Sequence, residues 1–487
     1  MKAEGTRHKA EMAEVAEVAE GLAPARVVLG NGVTVIVKAN HTTPAVSIVA
    51  GVGHGGYTDP PGKEGAAALC ARVLDRGTVS RTAEAIADDL DGRGASLTVA
   101  VGRHQMSVSA TCLAEDFQAV LALVADVTRH PLFPEAEIVT RRADLITTIR
   151  QEEDNPASMA VDAFFSALYG AHPYSRKVRG TVASVEPLKR QDLVRCHQKG
   201  FQPSGLTMVV VGDVDEQSAI DVVSRAFGDW AATAPAGQAG GDRPAGGDKP
   251  FLSAEAARAK AGGLSIPDAP RATERNLVAV PMMNKSQADV AYGFVGIRRS
   301  DPDYMATAVM NNALGQYAIG GRLGDSIRER QGMAYYVFSA LDAGFGEGPL
   351  YIRAGVSAGN VERTIASIDA ELTAVLTDGF TAKEIDESKG YLVGSLPRQL
   401  ETNRAIAAFL LNAEVFGLGL DYDVRLPDLI RAVTLEAANA AARRLLDPAR
   451  ATIAVAGPWH PPTLARSPAS SGETSPKRPS AAEAGPS

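Results

Sequence analysis

The segment HPLFPEAEIVTRRADLI (130–146) returns later in the chain, respelled, as TDGFTAKEIDESKGYLV (377–393). Phe133 stands against Phe380 and Glu137-Ile138 against Glu384-Ile385, 247 residues apart. A second pair follows in the same order: LTMVVVGDVD (206–215) closes one stretch as ATIAVAGPW (451–459) closes the other. So long an interval is no solenoid period; it is the spacing of a duplicated domain. Working outward, each copy has a strand-rich start, a long helical middle and a closing strand. The first opens with VVLGNGVTVIVKAN (27–40), two apolar runs around Asn31-Gly32, the favoured tight-turn pair of a β-hairpin. PAVSIVAGVG (44–53) is another β-branched run, ended by the Gly-rich GHGGYTDPPGKEG (53–65). GAAALCARVLDRGT (65–78) then reads as a helix with Gly77 as its stop signal. The expected fold is α+β: two homologous α/β halves, each of duplicated α+β units, joined by a linker and facing each other as a clamshell.

The boundaries follow from composition. Residues 1–25 read as a mobile Ala/Glu tail and 26–230 as the first half. Residues 231–267, rich in Ala, Gly and Pro without apolar periodicity, form the linker. Residues 268–458 are the second half, and the Pro/Ser-rich 459–487 are expected to be disordered. Of the 487 residues, 45% are hydrophobic and 22% charged, the balance of a soluble chain large enough to bury its own cores. The net charge of −8 argues against nucleic acid, whose phosphates need a basic face. No stretch approaches the ~20 apolar residues of a membrane span. Cys70, Cys112 and Cys196 are too few and too dispersed for a disulfide framework or a cysteine-rich zinc module. Glu recurs through the first 25 residues, so no signal-peptide core forms and a cytoplasmic location is expected; a start site placed wrongly would make it periplasmic.

Several stretches together resemble the pitrilysin/insulinase metallopeptidases, the inverted zincins, in their short processing-peptidase-like form. They are the Asn-Gly hairpin, AGVGHGGYTDPPGKEGAAALCARVLDRGT (50–78), ITTIRQEEDNPASMA (146–160), HPYSRKVRGT (172–181) and GGRLGDSIRERQGMAYYVFSA (320–340). The resemblance covers about residues 26–457. In that family H-x-x-E-H holds Zn²⁺ through two His on one helical face, the Glu activates water, and a downstream Glu is the third ligand. Here the resemblance puts Ala68 and Arg72 at the His positions, Ala71 at the catalytic Glu and Thr148 at the downstream ligand. Alanine has no lone pair to give, and Arg offers donors only. Arg72 is placed to stand in for the metal's charge and to pair with Asp144, one turn before Thr148. His54, His104, His130 and His172 are dispersed without helical i, i+4 pairing, adjacent Cys196 and His197 point to different faces, and Cys70 stands alone in the motif helix. No metal or cofactor is expected in this chain.

The second half keeps what the first has lost. RERQGMAY places Arg328 and Tyr335 seven residues apart, the spacing at which the family projects an Arg and a Tyr into the cleft as donors to the carbonyl beside the scissile bond. Both are strong donors for a developing oxyanion. GASLTVAVGRHQMSVSA (94–110) matches the edge strand on which the family adds its substrate as an extra strand, with Leu97 where an Asn is usual.

The resemblance implies the non-zinc-binding subunit of a heterodimeric zinc metallopeptidase. A homologous partner would carry H-x-x-E-H and the zinc, this chain would supply Arg328 and Tyr335, and the substrate would be a peptide or unfolded polypeptide. The alternative is a catalytically inactive peptide-binding or scaffolding subunit of a larger assembly. A different activity has no support: there is no nucleophile elbow or P-loop, and GVGHGG (51–56) lacks dinucleotide spacing.

Overall fold

The computed structural model describes residues 21–231, 266–316 and 321–461. Most of the expected N-terminal tail, linker and C-terminal tail, and Gly320 of the second-half signature, lie outside the described residues. The first half builds a six-stranded sheet from β1 (Ala25–Val28), β2 (Thr34–Ala39), β3 (Ala45–Val52), β4 (Ser96–Val101), β5 (Met106–Leu113) and β6 (Leu206–Gly212), in the order β1-β2-β6-β3-β5-β4. The second builds a five-stranded sheet from β7 (Asn276–Pro281), β8 (Gln287–Val295), β9 (Ala334–Leu341), β10 (Pro349–Ser357) and β11 (Thr452–Gly457), in the order β7-β11-β8-β10-β9. Without β1 the two orders coincide strand for strand. The one parallel pairing falls in the same place in each, β2 with β6 and β7 with β11. The duplication read from the sequence is therefore a duplication of topology, and the expected α+β pair of halves is the observed architecture.

The helices of the first half are α1 (Ala66–Val73), α2 (Ala83–Gly92), α3 (Phe117–Arg129), α4 (Glu135–Glu153), α5 (Pro156–Tyr169), the single turn α6 (Val182–Val185), α7 (Arg190–Gly200) and α8 (Glu216–Phe227). Those of the second are α9 (Tyr304–Asn311), α10 (Val361–Asp378), α11 (Ala382–Gln399), α12 (Asn403–Val415), α13 (Tyr422–Arg431) and α14 (Leu435–Leu445). The repeated segment starts α4 in one half and α11 in the other, and Phe133, Phe380, Ile138 and Ile385 are all buried. The Asn31-Gly32 hairpin forms as expected, with Gly32 at φ 93°, a conformation that costs glycine no steric penalty. Gly65, which enters α1 at φ 93°, admits no side chain: a Cβ there would lie 2.6 Å from the Arg179 carbonyl oxygen.

Strands β2, β3 and β6 bury residues on both faces, and the second face is covered by the opposite half. Alternation divides them: Val35, Val37, Ile48, Met208 and Val210 face the first half's own helices, while Ile36, Val49, Val209 and Val211 face Ile406, Ala407, Leu410 and Leu411 of α12. The exchange is reciprocal. Ala160, Phe164, Phe165 and Leu168 of α5 pack on Ala291, Val295, Ala454 and Ala456 of β8 and β11. Polar contacts fix both loans: for α12, Arg26 grips buried Glu414 through bonds of 3.0 and 2.9 Å and Asn403 Nδ2 donates to the Ala45 carbonyl at 2.9 Å, and for α5 the Tyr169 hydroxyl donates to the Glu347 carbonyl at 2.8 Å.

His104, on the β4–β5 turn, is a second joint between the halves. Its ring lies among Tyr57, Tyr174 and Phe345, the last from the second half, at centroid distances of 5.2, 5.2 and 5.4 Å. The Tyr174 hydroxyl accepts the Gly346 N–H at 2.8 Å, which leaves its own proton for His104 Nε2 at 3.0 Å. His104 Nδ1 is buried without a partner, and burial, helped by the Arg103 charge, lowers the imidazole pKa to about 4. The neutral ring is thus favoured in the fold. Stability from this joint is complete above the unfolded value near 6.5 and is lost as pH falls from there towards 4. Urea titrations should show a loss of about 2 kcal/mol between pH 6.5 and 4.5 that His104→Phe removes; an equal acid loss in the variant would assign it to other groups.

Candidate functional site

The four positions that the resemblance assigns to the zinc set lie on α1 and α4, which pack together. Asp59 starts α1, its carboxylate accepting the Gly65 and Ala67 N–H groups at 2.8 and 3.0 Å. Ala68 and Ala71 are buried methyl groups. Thr148 turns its hydroxyl onto its own helix, donating to the Asp144 carbonyl at 2.9 Å. Arg72 is exposed, and Asp144 pairs instead with Arg141 at 3.2 Å. The expected Arg72–Asp144 pair does not form, because Arg141, one turn away on the same helix, reaches Asp144 first. These side chains do not fit zinc: two have no donor atom, one is a cation, and the fourth is a hydroxyl already committed. Among the described residues no group of three His, Cys, Asp or Glu is arranged to hold a metal ion.

In the second half a π-type helical turn, Gly324–Arg330, carries Arg328 and runs through Gly332 (φ 61°) into β9. Ile327 anchors the turn in the core, which leaves Arg328 outside it with Glu329 as ion-pair partner at 3.6 Å. Tyr335 follows at the start of β9 and is 66% exposed. The register explains this: Gly355 faces Tyr336 and Val356 faces Ala334, so Tyr335 is the extra residue of a β-bulge. A bulge re-aims the side chain it contains and is common beside active sites. The neighbours are differently occupied. Arg322 holds Glu384 through Nε and Nη2 and lies over the Phe380 ring, Arg330 pairs with Asp325 at 2.9 Å, and the Tyr336 hydroxyl donates to Asp289. No bond joins Arg328 to Tyr335 directly.

Among the described residues β4 is an edge strand, paired only with β5. Leu97, Val99 and Val101 pack on the core while Ser96, Thr98 and Ala100 are exposed, so its outer edge can take an added strand. β9, with Tyr335, is the edge at the equivalent place in the second sheet.

One cluster is absent from the sequence reading. Cys70 is not alone: it faces α7, its sulfur 3.9 Å from the carbonyl of Leu193, which lies one helical turn before Cys196. Cys196 Sγ lies 3.3 Å from His54 Nε2, and the Thr58 hydroxyl, 3.2 Å from both ring nitrogens, holds the imidazole in place. Adjacent His197 points elsewhere, to the Thr128 carbonyl at 2.8 Å, so the two neighbours do occupy different faces. A cavity of about 200 Å³ opens on the cluster, lined by Asp59, Lys63, Asp192, Arg195, Cys196 and Lys199. The Cys70 hydrogen bond, and after it that of His54, draw the Cys196 thiol well below its ordinary pKa against the cost of burial. Burial, followed by the nearby Cys196 charge, pushes Asp59 up to about 8.

Comparison with known proteins identifies the family and the fold. The family description of insulinase, peptidase family M16, matches residues 34–182, and that of the peptidase M16 inactive domain matches residues 187–392. The chain belongs to the pitrilysin/insulinase family. An uncharacterized zinc protease of Mycobacterium leprae is 28% identical over 464 residues, 94% of this chain and 96% of its own length. A non-peptidase homologue from Helicobacter pylori is 23% identical over 84% of this chain and 88% of its own. The crystal structure of a peptidase M16 inactive domain from Pseudomonas fluorescens shares the fold with a TM-score of 0.77, at 24% identity over 91% of this chain and 99% of that one. Among the described residues no helix is long and apolar enough to cross a membrane.

Proposed function

We propose that this chain is the non-zinc-binding subunit of a two-chain metallopeptidase. The observation that carries the reading is an asymmetry: Ala68, Ala71, Arg72 and Thr148 offer no metal site, while Arg328 and the bulged Tyr335 are exposed at a sheet edge with their donors turned outward. Zinc chemistry then belongs wholly to a homologous partner bearing H-x-x-E-H. This chain binds an extended segment of peptide or unfolded polypeptide along β4. The Arg328 guanidinium and the Tyr335 hydroxyl donate to the carbonyl oxygen as it takes on negative charge; such donors act in proportion to the charge that develops, so they favour the transition state over bound substrate. Nothing in the role requires a proton to leave Arg328 or Tyr335.

The second reading is a peptide-binding or scaffolding subunit without catalysis, favoured by the match of residues 187–392 to an inactive domain. Peptide hydrolysis by the chain alone and by an equimolar mixture with its H-x-x-E-H homologue separates the two. The proposal expects no turnover alone and turnover in the mixture above that of the homologue by itself. An inert mixture, or a homologue no more active with the chain than without it, favours the scaffold.

A further inference from the structure

The Cys196–His54–Cys70 cluster takes no part in that function, yet it is built as a reactive site rather than as packing. Cys196 is a thiol beside an imidazole, with the Cys70 thiol on the helix packed against its own and a cavity in front. The cavity's volume of about 200 Å³ admits several water molecules, so a small oxidant can reach the sulfur. Lys63, Arg195 and Lys199 line it together with Asp59 and Asp192; Lys63 is engaged with Asp192 at 3.2 Å, and the charge of Lys199 favours the Cys196 thiolate. Cys112, the third cysteine, has no such surroundings: it is buried on β5, and its pKa is pushed up to about 11, first by burial. One chain thus contains a poised thiol and an inert one.

We propose that Cys196 and Cys70 form a peroxide-oxidisable thiol pair, with Cys196 the attacking sulfur, His54 its hydrogen-bond partner and Cys70 the resolving thiol. In the first step the Cys196 thiolate attacks one oxygen of hydrogen peroxide; the S–O bond forms, the O–O bond breaks, and the departing hydroxide takes a proton to become water. In the second the Cys70 sulfur, giving up its proton, attacks the Cys196 sulfenic acid; the S–S bond forms, the S–O bond breaks, and the hydroxyl leaves with that proton as water. Two thiols and one peroxide give one disulfide and two waters, the sulfurs losing the two electrons that the peroxide gains. The link would tie α1, the helix holding Ala68, Ala71 and Arg72, to α7.

The test uses the full-length, reduced wild-type chain. It is treated with hydrogen peroxide and mapped by peptide mass spectrometry, and in parallel alkylated with iodoacetamide across pH. The expected result is a Cys70–Cys196 linked peptide reversed by dithiothreitol, unmodified Cys112, and half-maximal alkylation of Cys196 below pH 7 rather than near the ~8.5 of an unperturbed thiol. Cys70→Ala should leave a dimedone-reactive sulfenic acid on Cys196, and His54→Ala should slow its alkylation at pH 6 by about tenfold. The proposal is overturned if folded wild-type Cys196 alkylates no faster than Cys112, if its half-maximal pH is 8.5 or above, or if peroxide oxidises Cys196 without the link to Cys70. Each wild-type readout stands even if a variant fails to fold.

Discussion

Arg328→Ala should lower kcat of the reconstituted pair by about two to three orders of magnitude, leaving assembly and zinc content of the complex unchanged. The size is that of one lost oxyanion donor, ~3–4 kcal/mol of transition-state stabilisation. The selectivity follows from position. Arg328 stands outside the core, its ion pair a 3.6 Å contact with a sequence neighbour, so truncating it opens no cavity. Arg328→Lys keeps the charge but loses the planar fork and should recover only part of the rate. Tyr335→Phe removes the hydroxyl, keeps the ring and should fall in the same direction. Steady-state kinetics decide: kcat falling with KM little changed marks an interaction made in the transition state. Unchanged kinetics in both variants would make Arg328 and Tyr335 surface residues and favour the scaffolding reading.

Phe164→Ala should destabilise the chain by about 3–5 kcal/mol, although Phe164 belongs to the first half and lies on the second half's sheet. Its ring is fully buried, stacked with Tyr351 at 5.6 Å and edge-on to Phe165 at 5.8 Å. Removing it leaves a cavity beneath β8 and β11 that neither strand can move to fill. Leu410→Ala in α12 makes the reciprocal cut and should cost a similar amount, whereas Leu113→Ala, 45% exposed, should stay within ~0.5 kcal/mol. Because each half completes the other's core, amide exchange in β8 and β11 should accelerate in the Phe164 variant. If exchange rose only within the first half, α5 would not be carrying the second sheet.

The sequence made much of this legible and hid the rest for physical reasons. The Asn31-Gly32 hairpin, the apolar runs of β3 and β6 and the repeated Phe133/Phe380 segment are local signals, and each sits where its pattern places it. The helix exchange is not local. A strand buried on both faces reads the same whether its second cover comes from the same half or the other, so nothing in Val209 or Val211 announces α12. Arg72–Asp144 failed because helical proximity gave Asp144 a nearer partner in Arg141. His54 and Cys196 are 142 residues apart, one in a glycine-rich turn and one on a helix, and no spacing rule links them. The exposure of Tyr335 was implied by the family resemblance alone; the bulge that produces it is set by pairing with β10, which the strand's own residues do not specify.

The most direct test of the two-chain reading is native mass spectrometry, with zinc analysis, of the complex that the tagged chain forms in its own host. The account predicts a 1:1 assembly with a homologue bearing H-x-x-E-H and about one zinc per pair, the metal remaining with the homologue when the two are separated. A metal-free homodimer, or a complex containing no such homologue, would contradict it.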